Sequence, residues 1–228
     1  MSSNGLVKAT IDGSLFIQII TLFLNFLAFF VPVDRWDFAL KEILGLETVV
    51  QVIELLFYTW YRGRIVEKIN DITQFRYFDW FFTTPTMLFS TASYYGYLNS
   101  KEEPGKEPFS VFSYLQENIN WILLMVVLNA LMLLFGYLQE IGLLSIVWSS
   151  ILGYAALLGS FGLLYTKSVK KVSQNQWLYS FMFIVWSLYG VAAIFPSREK
   201  NISYNILDIF AKNFYGIFLG YTIFKNKV

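Results

Sequence analysis

The chain has 228 residues and a formal net charge of +1; 56% of the residues are hydrophobic and 20% aromatic. Only 14% are charged, against about 25% in ordinary soluble domains. Cysteine and histidine are both absent, which excludes disulfides, thiol nucleophiles, Ser-His-Asp triads and Cys/His metal sites, and the near-neutral charge gives no sign of nucleic-acid binding.

The opening stretch MSSNGLVKATIDG lacks the basic-then-apolar pattern of a cleaved leader, so the first span is expected to act as its own membrane signal. Runs long enough to cross a bilayer predict seven helices: α1 at about 14–33, α2 38–60, α3 77–97, α4 119–138, α5 141–165, α6 177–196 and α7 203–224. Polar joins such as RGRIVEKINDITQFR and NSKEEPGKEP separate them, with a tight turn near Gln139 and Glu140. The expectation is an all-α membrane protein, one seven-transmembrane-helix bundle over residues 1–228. With the N-terminus outside, Arg35, Lys41, Lys101, Lys106, Lys167, Lys170, Lys171, Lys225 and Lys227 fall inside; Lys8, Arg62, Arg64, Lys68, Arg198 and Lys200 fall outside. That bias favours an outer N-terminus in a multi-pass membrane protein. FYTWY, YYGY and FYG read as interfacial aromatic belts. Gly153, Gly159 and Gly162 in α5 read as a close-packing face, within the bundle or between protomers of a homo-oligomer.

The chemistry begins with DIFAKNFYG, residues 208–216. Asp208 and Lys212 stand four residues apart on one face of an otherwise apolar helix. A lysine buried in a membrane must be paired or chemically changed, and a desolvated lysine can form a Schiff base with an aldehyde. A structural ion pair is the bland alternative. α3 opens with RYFDWFFTTPTM, in which Arg76, Asp79 and Thr83 share a helical face. α6 contributes WSLYG, with Trp186 and Tyr189 one turn apart, so that Trp80 and Trp186 could flank a flat polyene.

These segments resemble microbial rhodopsins, the seven-helix retinal proteins, over the whole membrane part. The resemblance implies all-trans retinal bound to Lys212 as a Schiff base, with Asp79 as counterion and first proton acceptor and Asp208 as second counterion. It also implies Arg76 as a gate, a pocket from Trp80, Thr83, Thr84, Met87, Trp186 and Tyr189, and a bend at Pro85. Gly190 stands where many relatives have proline. In bacteriorhodopsin-like proton pumps α3 carries a second carboxylate eleven residues after the counterion; here that residue is Ser90. Their outer glutamate pair is also missing, with only Glu199 beside Arg198. Fast outward pumping is therefore under-equipped, and Asp79 argues against chloride pumping.

Three polar stripes remain to be explained. Ser14, Gln18, Thr21 and Asn25 lie on α1, Glu47, Gln51, Glu54 and Tyr58 on α2, and Asn201, Asn205, Asp208 and Lys212 on α7. Each repeats with offsets of 0, 4, 7 and 11 and covers an arc of roughly 60°. Facing one another, they would form a carboxylate-lined, hydrated seam that selects cations. The expected path uses Ser14, Gln18, Glu47, Gln51, Glu54 and Asn205: an outer constriction from Ser14, Glu54 and Asn205, an inner one near Glu47, and Arg76 with the Lys212 region as central gate. Plainer readings are Ser14 as an α1 cap, Asn201 in a loop, and Gln18 and Asn25 as interhelical hydrogen bonds.

Ser14, the glutamates seven apart, Ser90 and Asn205 resemble the short rhodopsins of large DNA viruses of algae, one branch of which consists of light-gated cation channels. Thr84 departs from the cysteine of algal channelrhodopsins. The resulting expectation is a light-gated channel for monovalent cations and protons, affected by calcium, in contact with membrane lipids and, if viral, placed in a host cell membrane. An outward proton pump and a sensory rhodopsin are the alternatives. No resident metal and no enzymatic activity are expected.

Overall fold

The computed structural model describes residues 3–64, 69–102 and 107–228, so Lys68 and Lys106, used in the charge tally, lie outside the described residues. In lipid every backbone group must be bonded within the chain, which leaves the helix as the natural solution for an apolar sequence. α1 is Ser3–Phe29, α2 Phe38–Arg64, α3 Ile69–Glu102, α4 Val111–Glu140, α5 Ile146–Lys167 and α6 Gln176–Ala192. α7 has three parts: Ser197–Asp208, a π-helical turn over Ile209–Asn213, and Phe214–Lys225. The Phe214 N–H donates to the Ile209 carbonyl, which fixes that wide turn. Neighbouring helices pack in sequence and α7 closes the ring against α1, α2 and α3.

Most helices outrun their predicted spans, because hydropathy reports the apolar slab while the helix continues into polar surroundings. Much of the predicted α2–α3 join is helical, as α2 reaches Arg64 and α3 begins at Ile69. α5 errs the other way. Ile141–Leu144 form a turn, not helix: Gly142 has φ 78°, and Leu143 and Leu144 both donate to the Leu138 carbonyl. Ser145 then caps α5 by accepting from the Trp148 N–H. α3 runs through Pro85 as one helix.

The molecule is greasy outside and polar inside. Phe16, Leu56 and Phe78 are at least 66% exposed, whereas every member of the three stripes is buried. That arrangement suits lipid and not water. By length and composition alone, four helices could cross a membrane: those within Gly5–Phe29, Phe38–Arg64, Val111–Glu140 and Ile146–Lys171. The other three fall short because α3 is rich in polar residues, α6 has only 17 residues, and the π turn divides α7.

The tyrosine clusters are not surface belts. Tyr58, Tyr61, Tyr94, Tyr95, Tyr97 and Tyr215 are all buried. At the far end of the bundle, opposite the start of α1, Tyr94 accepts from Asn175 Nδ2 at 2.7 Å and Tyr95 donates to the Asn175 carbonyl at 2.7 Å. These bonds hold Asn175, at φ 55°, as the left-handed start of α6. Of the α5 glycines, Gly159 is the one in close approach, since a Cβ there would lie 3.1 Å from Leu128 of α4.

Candidate functional site

Lys212 lies within the π turn, and its Nζ donates to Asp79 Oδ2 of α3 at 2.5 Å. Asp208 Oδ1 is 3.6 Å from the same nitrogen. Asp208 also accepts from Tyr189 at its Oδ1 and from Tyr58 at its Oδ2, both at 2.7 Å. Arg76 Nη1 approaches Asp208 Oδ2 at 3.3 Å. The sequence therefore brings Arg76, Asp79, Asp208 and Lys212 into one buried cluster of two cations and two anions. Charges buried this deeply persist only when paired and hydrogen-bonded, and here each has both.

Arg76 is anchored toward the near end, where α1 begins. Its Nε donates to Asn201 Oδ1 at 3.0 Å, and its Nη2 donates to Asn205 Oδ1. The guanidinium also lies against Tyr61, 4.9 Å from the ring centroid, in cation–π range. Asn201 donates to Thr73 at 2.9 Å and Asn205 to Thr10 at 2.8 Å. Asn201 is thus a buried helical residue, not a loop residue. Ser14 caps nothing either, because α1 begins at Ser3.

A cavity of about 120 Å³ opens from Lys212 between α3, α4, α5, α6 and α7. Trp80, Thr84, Met87, Trp186 and Tyr189 line it. Thr83 does not: its hydroxyl donates to its own helix at the Asp79 carbonyl, 3.0 Å away. Trp80, Thr84 and Met87 repeat at 0, 4 and 7 on the cavity face, and Thr83 sits on the adjacent face with Asp79. Asn129 of α4, which the sequence reading passed over, donates to Thr84 at 2.8 Å. An amine at the end of a mostly apolar slot between two indoles fits a long apolar aldehyde such as retinal.

The predicted outer trio of Ser14, Glu54 and Asn205 is not joined. Ser14 accepts from Gln18 at 3.0 Å, and Glu54 Oε2 accepts from Asn213 at 3.4 Å. Tyr58, one turn nearer the near end than Glu54, takes the level of Asn205 instead, donating to it at 3.3 Å. Deeper still, Asn25 donates to Gln51 at 3.0 Å. Toward the far end Glu47 meets the Ser90 hydroxyl. A carboxylate does therefore reach the Ser90 position, contributed by α2. Gln18 Oε1, Asn25 Oδ1, Glu47 Oε2, Gln51 Nε2, Glu54 Oε1 and Asn213 Oδ1 are buried and lack a partner among the described residues.

A ring of seven helices around a lysine and two carboxylates defines a class, and the sequence agrees. The model of the family described as "Bacteriorhodopsin-like protein" matches residues 9–226, and the chain belongs to that family. Its members normally bind retinal through a Schiff base and are photoreceptors, pumps or channels. Among solved structures the chain is similar to viral rhodopsin OLPVRII, with 27% identity and a TM-score of 0.80 over 96% of this chain and 98% of that one. It resembles blue light-absorbing proteorhodopsin from Med12 at 18% identity and TM-score 0.71, over 96% of this chain and 97% of that one. Bromide-bound halorhodopsin from Halobacterium salinarum gives 12% identity and TM-score 0.71, over 98% of this chain and 96% of that one. These last two likenesses are of fold alone. No curated protein matches the sequence.

Proposed function

We propose that the protein is a retinal photoreceptor in which light opens a path for monovalent cations and protons between α1, α2 and α7. Lys212 would carry retinal, with Trp80, Trp186, Thr84, Met87 and Tyr189 around it. Bound there, retinal supplies light absorption and a change of shape within the cavity. Asp79, 2.5 Å from Lys212 Nζ, is placed to take up the proton at that nitrogen. Asp208, held by Tyr58 and Tyr189, stands beside it as the second carboxylate. Arg76 closes the near end by bridging α3 to Asn201, Asn205 and Asp208. The orientation proposed, near end outside, is the one the charge bias favours.

One observation carries the channel reading: of the eleven buried polar atoms without a partner among the described residues, six, on Gln18, Asn25, Glu47, Gln51, Glu54 and Asn213, lie along the α1–α2–α7 seam. A buried polar group without a partner costs about 1–3 kcal/mol, so such a row calls for water or ions. The Glu54–Asn213 pair, in which Asn213 directly follows Lys212, would act as a constriction of this path. The proposed calcium effect and contacts between protomers belong to the same reading.

A second reading, outward proton pumping, is favoured by the Glu47–Ser90 contact, which puts a carboxylate on the far-end side of Lys212. Whole-cell patch clamp with retinal and light separates the two. The expected photocurrent reverses at a potential set by the cation gradient. Glu54→Ala is expected to cut it by about tenfold, because a nearby carboxylate is worth on the order of 1–4 kcal/mol to a cation. Current that stays outward at every voltage establishes the pump, and retinal-loaded protein without current would favour a sensor.

A further inference from the structure

We propose that Asn25, Gln51 and Gly216 form a neutral amide seat for a partly dehydrated monovalent cation, set between Glu54 and Glu47. The inference rests on the cation-path reading above. Both amide side chains are wholly buried. They share one bond, from Asn25 Nδ2 to Gln51 Oε1 at 3.0 Å, which leaves Asn25 Oδ1 and Gln51 Nε2 unmatched. Turning both amides over exchanges donor and acceptor, and again leaves one oxygen and one NH2 without a partner. Two amides that served only as a brace would leave that deficit standing; a site that takes a cation or its water fills it.

α7 has made room for this pair. A Cβ on Gly216 would lie 1.9 Å from Gln51 Nε2 and 2.9 Å from Asn25 Nδ2. One turn on, a Cβ on Gly220 would lie 3.3 Å from Asn25 Oδ1. The helix therefore offers bare backbone to the amides at two successive turns, a direct reason for glycine at these places.

The chemistry of the donors names the ligand. Amide oxygen is hard and uncharged, so it suits an alkali cation; calcium binds through several oxygens, carboxylates prominent among them. Gln51 lies four residues from Glu47 and three from Glu54, about 6 and 4.5 Å along the axis. The carboxylates attract a cation into the seam. The neutral seat between them binds it weakly enough to let it leave, which conduction requires.

The test is the reversal potential of the photocurrent with sodium outside and potassium inside, for the wild type, Gly216→Ala, Gln51→Met and Gln51→Glu. Each variant is first checked for its visible absorption band. Gly216→Ala asks only the flexible tips of Gln51 and Asn25 to move, so it keeps the fold and decides the matter where Gln51→Met does not assemble. Gly216→Ala and Gln51→Met are expected to shift the sodium-to-potassium permeability ratio, and Gln51→Met to lower conductance about fivefold, the weight of roughly one lost ligand. Gln51→Glu is expected to make external calcium block the current. A wild type that reverses with the cation gradient, beside variants with unchanged ratio and calcium response, overturns the seat and leaves an interhelical brace. A wild-type current that never reverses removes the channel reading itself, and the seat with it.

Discussion

Replacing Lys212 with alanine is expected to abolish the visible absorption band altogether, whatever the transport function. Lys212 supplies the amine within the cavity and is 2% exposed. Without it the slot between Trp80 and Trp186 keeps its shape and loses its point of attachment. The substitution also leaves Asp79 and Asp208 with a single nearby cation, Arg76, so a lower melting temperature is expected beside the spectral loss. Absorption spectra of protein purified with added retinal check the first effect. A retained visible band would overturn the assignment of Lys212.

The second large effect is structural. Arg76→Leu is expected to destabilise the protein by about 3 kcal/mol or more, the usual result of stripping one partner from a buried charge. The reason lies in the number of groups that depend on this side chain. Asn201 Oδ1 would keep only Tyr61, at 3.2 Å. Asn205 Oδ1 would keep only a share of the Tyr58 hydroxyl, at 3.3 Å, whose one proton lies closer to Asp208 at 2.7 Å. Asp208 would retain its two tyrosines and lose its bridge to α3. Arg76→Lys is expected to recover the charge without recovering the fork that reaches both asparagines. Thermal unfolding of the purified variants measures both, and melting temperatures equal to wild type would mean that the near end is held elsewhere.

The sequence made the fold and the lysine cluster legible because both are written in local terms. Long apolar runs announce spans, and Arg76, Asp79, Asp208 and Lys212 lie in short motifs whose spacing survives folding. Helix ends were poorly legible, since hydropathy marks where lipid stops and not where helix stops. The tyrosines misled because YYGY has the composition of a surface belt, although Tyr94 and Tyr95 turn inward to hold Asn175. Partners across the seam could not be read at all. Nothing in one helix tells which residue of another stands at its level, so Glu54 was matched to Asn205 when its partner is Asn213. Asn213 itself was missed because the reading assumed 100° per residue throughout α7, and the π turn breaks that count.

That turn gives α7 one residue more than an unbroken α-helix would need to connect the same two halves. Deleting one residue near Phe210 would let the two halves join as an unbroken α-helix, each still seated against its own neighbours. The wide turn that carries Lys212 would be lost, although composition and hydropathy would hardly register the change. The surplus residue is torsional slack, stored at the very turn that carries the lysine. A twist applied at Lys212 can be absorbed there, turning one half of the helix against the other while its ends stay seated in the membrane.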